Sequence, residues 1–165
     1  APINMQRLAN GNTLVACFVG QKVIEIRPDG STEWEITIKG GPVDVRRLDN
    51  GRTLVTLHQP DGRVVEIDRQ GAVQWELKNL QMPMTAQRLE NGHTLVAEYG
   101  GRVAEWSRNR EILWQATGLQ MPYSAERLSN GNTLISHQVG VRELDATGKV
   151  IWQKQIANVR HATRF

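Results

Sequence analysis

The strongest constraint on this chain is an Asn-Gly pair that recurs at Asn10-Gly11, Asn50-Gly51, Asn91-Gly92 and Asn130-Gly131, with spacings of 40, 41 and 39 residues. The frame around each pair is constant: Arg-Leu, one residue, Asn-Gly, one residue, Thr-Leu, as in Arg7-Leu8 to Thr13-Leu14 and Arg127-Leu128 to Thr133-Leu134. A period near forty residues means one supersecondary unit used repeatedly. Such a unit cannot bury its own faces and is stable only when its neighbours stack on it.

Each unit resolves into four short strands. Asn-Gly between apolar residues signals a hairpin, expected as a type I′ turn with positive φ at both central residues. It joins a first strand, such as Met84 to Leu89, to a second, Thr94 to Ala97. Third strands follow at Val23 to Ile26, Val64 to Ile67, Val103 to Trp106 and Val141 to Leu144. A second turn, Pro28-Asp29-Gly30 or Ala146-Thr147-Gly148, leads to fourth strands around Trp34, Trp75, Trp114 and Trp152. Short strands with turn signals every roughly eight to twelve residues mark an all-β chain. No segment sustains a 3.6-residue period, so essentially no helix is expected.

The expected fold is therefore an all-β β-propeller with four four-stranded antiparallel blades, either as a single domain or as half of an eight-bladed ring. The repeats span about 1–40, 41–80, 81–120 and 121–158, and 159–165 forms a fifth inner strand. The column Arg7, Arg47, Arg88, Arg127 and Arg164 carries this fifth copy, as does Leu8, Leu48, Leu89, Leu128 and Phe165. Five first strands against four of each other kind predict a homodimer that completes a ring. The four column tryptophans are expected to be mostly buried between blades, each hiding ~150–250 Å².

Asp145-Ala146-Thr147-Gly148-Lys149-Val150-Ile151-Trp152 resembles the tryptophan-docking repeat of the quinoprotein-like propellers, also called the PQQ-like repeat. Asp29-Gly30 to Trp34 and Gly71 to Trp75 are looser versions, and Asn109-Arg110 departs where the glycine belongs. The Arg-Leu-x-Asn-Gly-Asn-Thr-Leu stretches resemble the arylsulfotransferase-like propellers. The resemblance implies a periplasmic or secreted setting. It also points to His161, in His161-Ala162-Thr163-Arg164-Phe165, as a weak candidate for a sulfuryl-carrying nucleophile. Ala162 stands where the acid after that histidine is usual.

Composition narrows the function classes. A net charge of +3 invites a nucleic-acid reading, but no run of like charges occurs and the column arginines are spread through the repeats. No nucleic-acid partner is expected. No apolar run approaches the ~18 residues that span a bilayer, so no membrane partner is expected. Cys17 is the single cysteine and no histidines show metal-ligand spacing, so no metal is expected. The quinoprotein-like resemblance implies a quinone cofactor only in far larger, full-ring dehydrogenases with their own metal ligands, so no cofactor is expected.

Two polar columns remain. Glu25, Glu66, Glu105 and Glu143 hold one position on every third strand. A residue needed once by chemistry need not recur in each repeat, so these read as an Arg–Glu packing ladder. The second column is Asn4, Asp44, Thr85, Ser124 and His161, on the strand that lines a propeller channel. Dissimilar polar groups in a concavity suit a small-molecule or protein ligand at the channel mouth. The function expected is a non-enzymatic binding or scaffold module. The alternatives are an enzyme related to the arylsulfotransferase-like propellers, or an engineered or ancestral repeat protein without a ligand.

Overall fold

The computed structural model describes residues 2–157 and 159–163. These form two compact units, Ala1–Pro83 and Met84–Phe165. Among the described residues there is no helix. All sixteen strands fall into four antiparallel four-stranded sheets.

In the first unit, blade 1 is β1 (Pro2–Arg7), β2 (Thr13–Cys17), β3 (Lys22–Ile26) and β4 (Thr32–Thr37). Blade 2 is β5 (Pro42–Arg47), β6 (Thr53–Leu57), β7 (Gly62–Ile67) and β8 (Val73–Leu80). Each is a simple meander in sequence order. Leu14, Ala16 and Val23 of blade 1 share one core with Val45, Val55, Leu57, Val65 and Ile67 of blade 2, and Trp34 and Ile36 pack against it. Each second strand thus buries apolar side chains against the other blade of its unit.

In the second unit, blade 3 is β9 (Pro83–Arg88), β10 (Thr94–Glu98), β11 (Arg102–Trp106) and β12 (Ile112–Ala116). Blade 4 is β13 (Pro122–Arg127), β14 (Thr133–His137), β15 (Gly140–Leu144) and β16 (Val150–Gln155). Its core joins Leu95, Ala97 and Val103 to Ala125, Ile135 and Leu144, with Trp114 packed against it.

The first strands open on proline, which has no N–H for the ladder. In blades 1, 2 and 4 the register shifts just after that proline, between Pro2 and Asn4, Pro42 and Asp44, and Pro122 and Ser124. The bulge skips one residue and aims the polar column member that follows.

The Asn-Gly turns differ from the expected type I′ form. Gly11 has φ 84° but Asn10 does not lie at positive φ. Gly11 N–H donates to the Leu8 carbonyl at 3.0 Å, and Leu8 N–H donates to the Asn12 carbonyl at 2.8 Å. This is a type I turn closed by a glycine bulge. The asparagine side chain decides it: Asn10 Oδ1 accepts the Asn12 N–H at 3.0 Å, and the same bond recurs at Asn50, Asn91 and Asn130.

Two further expectations are corrected. Residues 159–163, expected within a fifth inner strand over 159–165, are irregular, while Arg164 and Phe165 lie outside the described residues. A first strand takes its ladder from the second strand of its own hairpin, and none pairs with 159–163 among the described residues. Trp152 is 50% exposed, whereas Trp75 is 7% exposed and Trp34 and Trp114 are half-buried. Trp34 and Trp114 pack against the core shared with the blade that follows them in their own unit, and no strand follows β16 among the described residues.

Candidate functional site

Two members of the glutamate column, Glu25 and Glu105, are built into the junction between the two blades of their unit. Glu25 is 2% exposed. Its Oε1 accepts from Asn12 Nδ2 of its own hairpin at 2.8 Å, and its Oε2 accepts from Arg47 Nη2 of blade 2 at 2.7 Å and from Arg69 Nη1 at 2.8 Å. Burial alone would raise the Glu25 pKa, but the hydrogen bonds from Asn12 and Arg69 and the charges of Arg47 and Arg69 outweigh it and hold the carboxyl below 4.5. In the second unit Glu105 repeats the pattern, with His93 Nδ1 at 2.8 Å and Arg127 Nη2 of blade 4 at 2.7 Å. Glu66 takes Arg52 at 2.9 Å and Glu143 takes Asn132 at 2.7 Å from their own hairpins.

The ladder was legible, but its third member was missed. Asn12, Arg52, His93 and Asn132 all follow the Asn-Gly pair, where the frame leaves one residue unspecified. The signal was that all four side chains can donate a hydrogen bond.

The tryptophans complete each junction. Arg47 lies over the Trp34 ring at 5.3 Å and Arg127 over Trp114 at 5.2 Å. Trp34 Nε1–H donates to the Arg69 carbonyl of blade 2 at 2.8 Å. A Cβ built on Gly71 would stand 2.7 Å from Ile36, and one on Gly148 3.6 Å from Trp114 Nε1. In each unit the glycine turn of the second blade thus receives the outer strand of the first.

The channel-lining candidates divide between the two units. In the first, Asn4 Nδ2 donates to Asp44 Oδ1 at 2.6 Å. Asp44 is 1% exposed, with Arg46 Nε 3.6 Å from the same oxygen. In the second, Ser124 and Ser136 share a hydrogen bond at 2.7 Å, and Thr85 Oγ1 accepts the Ala125 N–H at 3.3 Å. His161 is exposed and lies off any strand.

The sequence reading also missed a polar group at the end of β10. Glu98 is fully buried and receives Arg102 through Nε at 2.6 Å and Nη2 at 3.0 Å. Arg102 lies over Trp106 at 5.3 Å, which gives this off-column tryptophan its own environment. The equivalent residue of blade 4, His137, is 2% exposed, with no hydrogen-bond partner for Nδ1 among the described residues. Burial first, and then the charge of Arg142, pushes its pKa below 6.5. Among the described residues no three His, Cys, Asp or Glu side chains are grouped to hold a metal.

Blade 4 carries a groove of about 660 Å³ lined by Leu134, Val141, Glu143 and Trp152, with Ala162 and Thr163 on one side. Leu14, Val23, Glu25 and Trp34 are the matching residues of blade 1.

This arrangement can be set beside known proteins. Solved structures share the fold at low identity. A Bacteroides caccae protein of unknown function is 18% identical, with a TM-score of 0.77 over 93% of this chain and 60% of that one. Virginiamycin B lyase from Staphylococcus aureus is 13% identical, with a TM-score of 0.73 over 95% of this chain and 56% of that one. The WD40 β-propeller domain of Doa1 is 11% identical, with a TM-score of 0.74 over 90% of this chain and 52% of that one. This chain therefore spans little more than half the length of the structures it resembles. No curated protein sequence matches it. A family model described as outer membrane protein assembly factor BamB matches residues 19–165. That match carries the PQQ-like side of the resemblance and not the arylsulfotransferase-like side. With four meander sheets, tryptophan-docked junctions and a family match over most of its length, the chain is a β-propeller belonging to the family of the outer membrane protein assembly factor BamB.

Proposed function

We propose that the chain is a non-enzymatic binding or scaffold module whose first-strand polar residues hold a small-molecule or protein ligand. The carrying observation is how the charged residues divide. The repeated ones, Glu25 with Arg47 and Glu105 with Arg127, are engaged in joining blades. The ones that differ between repeats, above all the buried Asp44 with Asn4 and Arg46 beside it, are suited to recognition. A periplasmic or secreted setting fits the family, whose name places its work at the outer membrane. No helix among the described residues is long and apolar enough to cross a membrane.

A thermal-shift screen of hydroxylated and amino compounds tests the reading. A ligand should raise the melting temperature of the wild type but not of Asp44→Asn. Turnover of an aryl sulfate that disappears in His161→Ala would instead establish an enzyme and overturn it.

A further inference from the structure

The four Asn-Gly pairs that mark the first hairpins are also the peptide positions of this chain most open to deamidation. Asparagine is a thermolabile side chain, and a glycine after it has no Cβ to shield its own nitrogen. In this reaction the glycine nitrogen attacks the asparagine Cγ and gives up its proton. The Cγ–Nδ2 bond breaks, ammonia leaves with that proton, and a five-membered succinimide remains. Water then opens the ring to aspartate or isoaspartate. Isoaspartate routes the main chain through the side-chain carbon and lengthens it, which a hairpin of fixed register cannot absorb.

Shielding from water does not protect these sites, because Asn10, Asn50, Asn91 and Asn130 are all exposed. The turn itself supplies three restraints on the reacting atoms. The attacking nitrogen is engaged: the N–H groups of Gly11, Gly51, Gly92 and Gly131 donate to the carbonyls of Leu8, Leu48, Leu89 and Leu128 at 2.9 to 3.0 Å. The carbon under attack is held as well. Each asparagine Oδ1 accepts the N–H two residues on, at 2.9 to 3.0 Å, so its amide cannot swing onto the glycine nitrogen.

The third restraint comes from the column arginine. Nη1 of Arg7, Arg47, Arg88 and Arg127 donates to the carbonyl of Gly11, Gly51, Gly92 and Gly131, at 2.7, 3.2, 3.0 and 3.2 Å. It ties the far end of the turn back to the first strand. In blade 3 the guanidinium is itself steadied, since Arg88 Nη1 also reaches Thr94 Oγ1 at 2.7 Å.

We infer that the repeated Arg-Leu-x-Asn-Gly frame is a device that keeps four exposed asparagines from closing to succinimide, with the arginine as its clasp. This gives Arg47 and Arg127 a second task beside their contacts with Glu25 and Glu105. It also accounts for an arginine standing three residues before the asparagine of every repeat.

Peptide mass spectrometry of the chain incubated in mildly alkaline buffer, native and urea-unfolded, tests this at each of the four sites. The native rate should be at least about tenfold lower at every site, because ring closure waits on local opening of the turn. Arg7 is exposed, so Arg7→Ala removes one clasp without disturbing a core. It should speed deamidation of Asn10 about threefold, the worth of a modest hydrogen bond. Asn50, Asn91 and Asn130 in the same molecules serve as internal controls and should keep their wild-type rates. A site that reacts as fast in the native chain as in urea overturns the inference. So does an Asn10 rate unmoved by Arg7→Ala, or an equal acceleration at all four sites.

Discussion

Glu25 shows how one residue joins two repeats. Its carboxylate takes a donor from its own hairpin and two from the next blade, in a place where an unpaired charge would be costly. Glu25→Gln keeps the Asn12 contact but removes the charge, and should cost about 1–3 kcal/mol at neutral pH. The pH dependence has a definite sign. The folded pKa lies below 4.5, so the stabilisation is complete above about pH 4.5 and fades as pH falls through the lowered value. Urea melts of wild type and Glu25→Gln should therefore differ most at neutral pH and converge in acid. The Arg–Glu pairing was readable because both columns recur without exception. That it runs from one blade to the next was not, because sequence register cannot tell a contact within a sheet from one across a junction.

At the scale of turns and strands, short local signals were read well for position and less well for conformation. The Asn-Gly pairs mark every first hairpin, but the asparagine side chain bonds the backbone two residues on and selects a type I turn with a glycine bulge. The second turn of blade 3 departs from the repeat and shows what glycine supplies there. Arg110 takes φ 71° where Gly30, Gly71 and Gly148 sit near 86° to 89°. A side chain in the left-handed region costs roughly 1 kcal/mol, so Arg110→Gly should raise the melting temperature measured by calorimetry. The outer strands separate in the same way. Trp75→Ala removes a buried ring and should cost about 3–5 kcal/mol. Trp152→Ala, at half-exposure, should cost less than about 1 kcal/mol in a monomer. Chemical denaturation of the two variants distinguishes the positions.

For the molecule as a whole, architecture was more legible than function, for a physical reason. Packing is demanded of every repeat and so is written four times. Recognition is needed once and leaves no period to find. The arginines illustrate this: Arg27, Arg46, Arg47, Arg52, Arg63, Arg69, Arg102 and Arg127 all lie against carboxylates, so the net charge of +3 does not gather into a basic face from these residues. Fluorescence anisotropy with a DNA duplex at low salt should show no binding steep in salt concentration; a slope of several counterions would contradict this reading.

The junction has a further consequence for how such chains change over generations. Each repeat carries an acceptor half on its third and fourth strands and a donor half on its first strand and last turn. A gene duplication that copies any forty-residue window, wherever its boundaries fall, reproduces both halves in matching order. Repeats can then be gained or lost without a new interface being invented. The columns that hold neighbours together would persist through such events, leaving the polar position held here by Asn4, Asp44, Thr85 and Ser124 free to diverge in each descendant copy.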